Sequence, residues 1–418
     1  MSDTTDPTVT FPTGGGGTLT IHVPNYTQAV TTAKAISSQL SSELTAGTIT
    51  AYDYDGTTTF APPATNNEVV LTGTANFVVL GTSTSAVIND STSPVFLNGE
   101  NDANVDVVSD GILTYDMNAG TGRIVADGVV ENIISAATGG GNHTIFVGDG
   151  SNTIDAFSGN DTISGGIGSN NVTFGTGNSV FTSRGADNVS SYNPDDGTPG
   201  GTDVINASTN TNAITVDGGL NNLIIANGSG ASCLTGDSGS DTVHAGAGGG
   251  DYQGGTAGKN LLVGGSGAVT LVGGGSGDLL VAGGKAGDLL QASSGNETLV
   301  GALSFGNDTL QGGSGADVLT GGFGKDLITA GTGNDTEISS FGANLFQFVD
   351  GSAGGKDVIY GFQLNSGNKI DLSGYGSNAV AQAVATQKHV GGSTVLTLSD
   401  HTQITLVDIS KVTASNFG

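Results

Sequence analysis

Basic, sulfur-containing and indole side chains are scarce in this chain. Ten Lys and Arg stand against 38 Asp and Glu, for a formal net charge of -28. That balance excludes the basic patches that nucleic acids and anionic membranes require. Cys233 is the only cysteine, so no intramolecular disulfide staples the fold, and the residue reads as a small buried apolar side chain. Tryptophan is absent, and no apolar run approaches the length of a membrane span, so neither membrane insertion nor nucleic-acid binding is expected. The first residues, MSDTTDPTVTF, hold neither a basic segment nor an apolar core, so no cleavable signal peptide is expected.

Enzymatic signatures are missing as well. The five histidines, His22, His143, His244, His389 and His401, form no H-E-x-x-H, and no G-x-S-x-G occurs. Gly236-Asp237-Ser238-Gly239 resembles a serine-protease nucleophile segment, but it sits in phase with a repeat and reads as part of that repeat. Gly258-Lys259-Asn260 lacks the Ser or Thr of a phosphate loop. We expect no enzyme and no catalytic residue.

What the chain holds in abundance is glycine, 73 residues of 418, and over 305–346 it is periodic. FGNDTLQGG, SGADVLTGG, FGKDLITAG, TGNDTEISS and FGANLF align Gly306, Gly315, Gly324, Gly333 and Gly342 in one column. Two residues on come Asp308, Asp317, Asp326, Asp335 and Asn344, and two further on Leu310, Leu319, Ile328, Glu337 and Phe346. This is the G-G-x-G-x-D-x-U-x nonapeptide. Glycine permits the tight turn, and the apolar position begins a short strand, so two nonads close one coil of a flattened solenoid. Residues eighteen apart then stack at about 4.8 Å, with Asp308 over Asp326 and Asp317 over Asp335. Stacked carboxylates need a divalent cation between them. Ca²⁺, with six to eight oxygen ligands, suits two carboxylates and several turn carbonyls better than Mg²⁺ does.

These columns resemble the calcium-binding β-roll of the RTX (repeats-in-toxin) family of exported proteins from Gram-negative bacteria. The resemblance implies Ca²⁺ held by the Asp column and by backbone oxygens of the second and fourth motif positions, here Gly313 and Gly315, Gly322 and Gly324, and Gly331 and Gly333. Ser304 replaces glycine in the first repeat, Glu337 interrupts the apolar column and Asn344 replaces the last Asp. The C-terminal stretch, KDVIYGFQLNSGNKIDLSGYG to TASNFG, resembles the uncleaved tail by which such proteins are recognised by a type I ABC exporter. Its alternating Val395, Leu396, Leu398 and Ile404, Leu406 around Asp400-His401 also read as a closing hairpin.

Taken in order, 1–65 reads as an α+β cap or assembly segment, with a strand at 18–23, a helix over 26–44 from Ala29, Ala33, Ile36, Leu40 and Leu44, and a hairpin turn at Asp55-Gly56. Residues 66–135 read as an irregular β-solenoid; Glu100, Asp102, Asp106 and Asp110 make one stretch of it acidic. Over 136–190 a degenerate nonad array keeps its apolar column (Ile145, Ile154, Ile163, Val172, Phe181), while the Asp column becomes His143, Asn152, Asp161, Asn170 and Ser179; Asn ladders are expected to replace the metal there. Residues 191–300 read as Gly-rich solenoid, entered through an excursion carrying Pro194, Asp195, Asp196 and Pro199. Asp241 fits the motif once, and Asp278 and Asp288 stand where the register slips. The calcium β-roll occupies 301–350, and 351–418 is the C-terminal cap and secretion signal.

The fold class is therefore all-β, a parallel β-roll or β-helix solenoid with a small N-terminal α+β cap and a C-terminal β-hairpin cap. The functional expectation is a secreted, extracellular or cell-surface protein of a Gram-negative bacterium that folds with Ca²⁺ and assembles with copies of itself into a layer, filament or biofilm matrix. The alternative is an RTX adhesin or a carbohydrate-binding or carbohydrate-active β-helix, whose partner would be a cell-surface polysaccharide.

Overall fold

The computed structural model describes residues 6–418 apart from 57, 64–65, 82, 100–103, 118–119, 129–131, 136–140, 192–200, 220–221 and 364–366. Glu100 and Asp102, and the excursion residues Pro194, Asp195, Asp196 and Pro199, lie outside the described residues. The chain divides into two compact units, Met1–Asn221 and Asn222–Gly418. Each is a parallel β-solenoid in which successive short strands alternate between two facing sheets, here called the first and second sheet of each unit.

In the N-terminal unit, β1 (Thr8–Pro12) and β2 (Thr18–His22) form an antiparallel hairpin. The amphipathic pattern gives α1 (Thr27–Ala46), which buries Ala29, Ala33, Ile36 and Leu40. It stops where Gly47 turns left-handed at φ 69°, a conformation glycine adopts without steric cost. The first solenoid strand, β3 (Thr50–Tyr54), pairs in parallel with β4 (Asn67–Leu71). The hairpin expected at Asp55-Gly56 is thus corrected: the chain makes a whole coil between the two strands, touching the second sheet through a parallel bridge from Phe60 to Val78.

The irregular segments expected over 66–135 are rungs of the same two sheets: Thr84–Asn89, Asp106–Ser109 and Gly122–Ala126 in the first, Phe77–Val79, Val95–Asn98 and Ile133–Ser135 in the second. Every second residue of a strand points to the same side. Val87, Val107, Ile124, Ile145, Ile163 and Phe181 therefore stack as one inward column, all fully buried. The first sheet of this unit is apolar on its outer side too. Val70, Ile88, Val108, Val125 and Phe146 face α1 and the β1–β2 hairpin in one buried cluster. The cap therefore runs along the flank of five successive rungs. Its edge is closed as well, for the turn between β1 and β2 meets β3, with Gly14 N and Gly15 N donating to the Asp53 carboxylate at 2.9 and 3.2 Å.

In the C-terminal unit the inward columns are Val243, Leu262, Leu280, Leu299 and Leu319 in the first sheet, and Tyr252, Leu271, Leu290, Leu310 and Ile328 in the second. Glu337 continues the first column between Leu319 and Ile359 and is fully buried. The far end is closed by an antiparallel hairpin, Ser393–Thr397 with Gln403–Leu406, as the alternation around Asp400-His401 predicts. A short helix α2 (Ala379–Thr386), not foreseen in the sequence, packs on that hairpin. The last strand of the second sheet, Lys369–Ser373, is covered by the tail through an Ile370–Phe417 bridge and Gly418 N donating to Ile370 O. Cys233 corrects its expectation: in Ser232–Thr235 it alternates outward between buried Ser232 and Leu234, and is exposed.

Candidate metal centre

Strand pairing, once set, fixes what stands just before each strand. In the C-terminal unit two ladders of carboxylate and amide side chains form, at opposite edges of the flattened coil. Before the second-sheet strands stand Asp288, Asp308, Asp326, Asn344 and Asn368. Each backbone N–H donates to the side-chain oxygen of the next: Asp288 to Asp308 at 2.9 Å, Asp308 to Asp326 at 3.0 Å, Asp326 to Asn344 at 3.1 Å, Asn344 to Asn368 at 2.9 Å. Before the first-sheet strands stand Asp241, Asn260, Asp278, Glu297, Asp317 and Asp335, and Asp357 continues the row from within the strand Gly354–Tyr360. Here Asn260 donates to Asp278 at 2.8 Å, Glu297 to Asp317 at 2.8 Å, Asp317 to Asp335 at 2.8 Å and Asp335 to Asp357 at 3.2 Å.

Asp308 accordingly lies over Asp326, and Asp317 over Asp335. The ladders also reach beyond the regular nonads. Asp278 and Asp288, where the nonad phase slips, are full members, and Glu297, Asp357 and Asn368 join them unforeseen. The steps run from 18 residues (Asp308 to Asp326) to 24 (Asn344 to Asn368), because the turns absorb extra residues while the strands stay in register. Strand pairing, rather than a fixed spacing, is the signal that finds them.

One oxygen of each stacked aspartate is used in this way; the other is the informative one. Asp308, Asp317, Asp335 and Asp357 each keep a buried Oδ2 with no hydrogen-bond partner, and both carboxylate oxygens of Glu297 and of Glu337 are in the same state. A buried polar atom left unpaired costs about 1–3 kcal/mol, more when charged, so burial drives these groups toward their neutral form. It pushes Asp308 and Asp335 up to about 6 and Asp357 up to about 7. Asp317, Asp326 and Asp288 are raised as well, again by burial first. Glu297 is raised by burial first and then by the adjacent Asp317 carboxyl, and Glu337 well above the usual range by burial and then by Asp357 and Asp335. Asp326 differs from its neighbours, since its Oδ2 accepts from Gly322 N at 2.6 Å.

The turns in front of the ladders are stacked backbone on backbone. Ser314–Gly315 pairs in parallel with Thr332–Gly333, which pairs with Gly354 and Gly355. A Cβ on Gly324 would overlap the carbonyl oxygen of Gly306, and one on Gly331, at φ 100°, that of Gly313. Glycine is therefore required for contact at Gly324, and for contact and conformation at Gly331. Gly313 O and Gly322 O each accept one bond, from Thr332 N and Phe341 N, which leaves a lone pair on each. Ser304, the departure at the first repeat, is buried and bridges Gly306 N and Asp308 Oδ1.

Among the described residues no three His, Cys, Asp or Glu side chains gather around one point. A cation here therefore takes at most two carboxylates and draws the rest of its oxygens from turn carbonyls, as Ca²⁺ with its flexible shell of six to eight oxygens accepts. The unpaired carboxylate oxygens of Asp308, Asp317, Asp335 and Asp357 beside crowded turn carbonyls fit that ion. A bound Ca²⁺ would supply the positive charge that lets these buried carboxylates stay ionised.

The degenerate array in the N-terminal unit shows the same architecture with most of its carboxylates replaced by amides. Asn132 Nδ2 donates to Asn152 Oδ1 at 2.8 Å, Asn152 Nδ2 to Asn170 Oδ1 at 2.7 Å, and Asn170 Nδ2 to Asp187 Oδ1 at 2.7 Å. The Asn152 amide also donates to the turn carbonyls of Gly150 at 2.9 Å and Gly148 at 3.2 Å. Its N–H groups thus occupy carbonyls that elsewhere face carboxylates. On the other edge, His143 Nδ1 lies 3.0 Å from Asp161 Oδ1, both side chains being buried. Asp106 of the acidic stretch pairs with Arg123, and Asp110 with His22 at 2.8 Å; neither joins a ladder of the repeat kind.

The model of the RTX calcium-binding nonapeptide repeat matches the chain four times, over residues 138–172, 228–250, 254–284 and 304–337. No curated protein matches the chain.

Proposed function

The chain is an RTX-family calcium-binding repeat protein, and from that premise we propose that it is a secreted structural protein whose C-terminal unit folds when Ca²⁺ fills its carboxylate ladders and which then assembles with further copies of itself. The observation that carries this reading is the row of buried, half-satisfied carboxylates at Asp308, Asp317, Asp335 and Asp357. A fold that buries them is disfavoured where calcium is scarce and favoured where it is abundant, since metal binding free energy becomes folding free energy. Such a chain stays export-competent inside the cell and compacts outside it. The C-terminal tail, with its resemblance to the signal read by a type I ABC exporter, supports that route, and among the described residues no helix is long and apolar enough to cross a membrane.

The structural rather than enzymatic reading rests on the side chains the solenoid presents. The carboxylates of the C-terminal ladders are used by the fold, and His143 and Asp161 are sealed in the coil. Calcium titration of chelator-stripped protein, followed by light scattering and electron microscopy, tests the reading. Ordered sheets or fibres are expected as calcium rises from micromolar to millimolar. A compact monomer at every concentration would overturn assembly and favour a polysaccharide-binding solenoid.

A further inference from the structure

The outer faces of the two sheets in the C-terminal unit differ in chemistry. On the second sheet one outward column carries Gln291, Gln311, Gln347 and Asp371, beside Leu289, Leu327 and Leu345 in the other; Gln291 Nε2 donates to Gln311 at 2.6 Å and Gln347 Nε2 to Asp371 at 2.9 Å. On the first sheet, the residues flanking each buried leucine are apolar or threonine and partly exposed. Leu261 stacks on Leu279, Val263 on Val281 and Val281 on Val300, and the column ends with Ile338 on Tyr360. No outward position of the first-sheet strands from Leu261 to Ile338 is charged, and Lys356 at the start of the next strand is the first that is, in a chain with 38 acidic and 10 basic residues.

The turns that these strands run into extend the surface. Phe305, Phe323 and Phe341 stack face to face, with centroids 4.8 and 4.6 Å apart. They are nonetheless 61%, 44% and 59% exposed, and Leu303 is 70% exposed. Their ring faces cover one another, so the edges are what remains for a partner. In the N-terminal unit the outer side of the first sheet is equally apolar, and there α1 covers it. In the C-terminal unit the one described α-helix packs instead on the closing hairpin.

We infer that this face, strand columns and phenylalanine ladder together, is where a second copy of the chain docks, first sheet against first sheet. The inference rests on the assembly proposed above and names its contact. Three arguments select a second copy. A flat strip with rungs at about 4.8 Å is complementary to itself about a two-fold axis, and two such sheets pack about 10 Å apart with their side chains interleaved. Two copies, each at -28, repel over most of their surface, and an uncharged face is where they meet without opposing like charges. The three rings and Leu303 expose roughly 450 Å², and the strand columns bring the face toward the roughly 800 Å² per partner of a standard interface. Within the C-terminal unit the last strand of the second sheet is covered by the C-terminal tail, so contact along the flank replaces strand addition at that edge.

The test is sedimentation velocity on the full chain at millimolar calcium over a range of protein concentrations. It compares the wild type, the double variant Val281→Lys/Val300→Lys, and Gln291→Lys/Gln311→Lys on the opposite face, with circular dichroism to confirm that each folds with calcium. Burying two lysines at an apolar contact is expected to weaken association by about 100-fold or more, while the opposite-face variant associates as the wild type does. Phe323→Ser, at an exposed side chain, gives the same readout without altering a strand and is expected to weaken association about tenfold. A wild type that assembles together with first-sheet variants that assemble equally well overturns this surface and leaves the assembly reading standing. A wild type that stays monomeric overturns both.

Discussion

Asp335→Asn separates the two halves of the argument because its effect should change sign with calcium. Asp335 is buried; Oδ1 accepts from Asp317 N at 2.8 Å and Oδ2 has no partner. Burial, with the nearby Asp317 charge, pushes its carboxyl up to about 6. Above that pH the calcium-free fold carries an ionised group it disfavours, at a cost of roughly 3 kcal/mol. An asparagine amide removes the charge and can donate to turn carbonyls as Asn152 does to Gly150 and Gly148. The calcium-free C-terminal unit, about 200 residues, should therefore gain about 2–3 kcal/mol and melt about 5–10 °C higher. With calcium the variant has lost a ligand. A 100-fold weaker site at fixed calcium forfeits about 2.7 kcal/mol of linkage stabilisation, so the melting temperature should fall by a similar interval. Thermal unfolding by circular dichroism at pH 7.5, in chelator and in millimolar calcium, with sulfate present to hold the calcium-free fold together, reads both. The same sign in both conditions would refute the reasoning.

Three further outcomes follow from the same contacts. Because Asp308, Asp335 and Asp357 are raised in the fold to about 6, 6 and 7, their contribution to calcium-free stability is fully present below about pH 4 and is lost as pH rises through 6–7; in saturating calcium the slope should reverse, as denaturant melts at a series of pH values will show. Gly331→Ala, at φ 100° and against Gly313 O, should cost several kcal/mol and weaken calcium-induced folding, measured as a higher calcium midpoint by circular dichroism; an unchanged midpoint contradicts the stacked-turn geometry. Tyr26→Phe removes donations to Val147 O at 3.2 Å and Ser164 O at 3.1 Å, beneath the Arg184 guanidinium 4.0 Å from the ring; the N-terminal unit should lose about 1–2 kcal/mol without change in calcium response.

The coil, its two sheets and the pairing of Asp308 with Asp326 and Asp317 with Asp335 are legible in the sequence, because a strict nine-residue phase fixes both turn and strand. The helix over Thr27–Ala46 is legible for a similar reason, its apolar stripe and its terminal Gly47. Glu297, Asp357 and Asn368 are not: they enter the ladders through coils of 20, 22 and 24 residues, where the hydrogen-bonded strands keep register and the turn length is free. The Asp55-Gly56 pair misleads because an Asp-Gly turn signal is local, whereas the parallel partner of β3 is supplied a full coil later. Cys233 misleads because a residue type says less than its parity within a strand. The lateral seat of α1 is carried by Val70, Ile88, Val108, Val125 and Phe146, whose second apolar column becomes informative only once the neighbouring rungs are aligned.

Hydrogen exchange on the full chain, with and without calcium, tests the central claim most directly. If calcium on the carboxylate ladders holds the C-terminal unit together, amides of the rungs from Thr242–His244 to Lys369–Ser373 should gain strong protection when calcium is added. Those of the rungs from Ile133–Ser135 to Asn188–Ser191, held by the asparagine ladder, should be protected in either condition. Equal protection of both stretches without calcium would contradict the account.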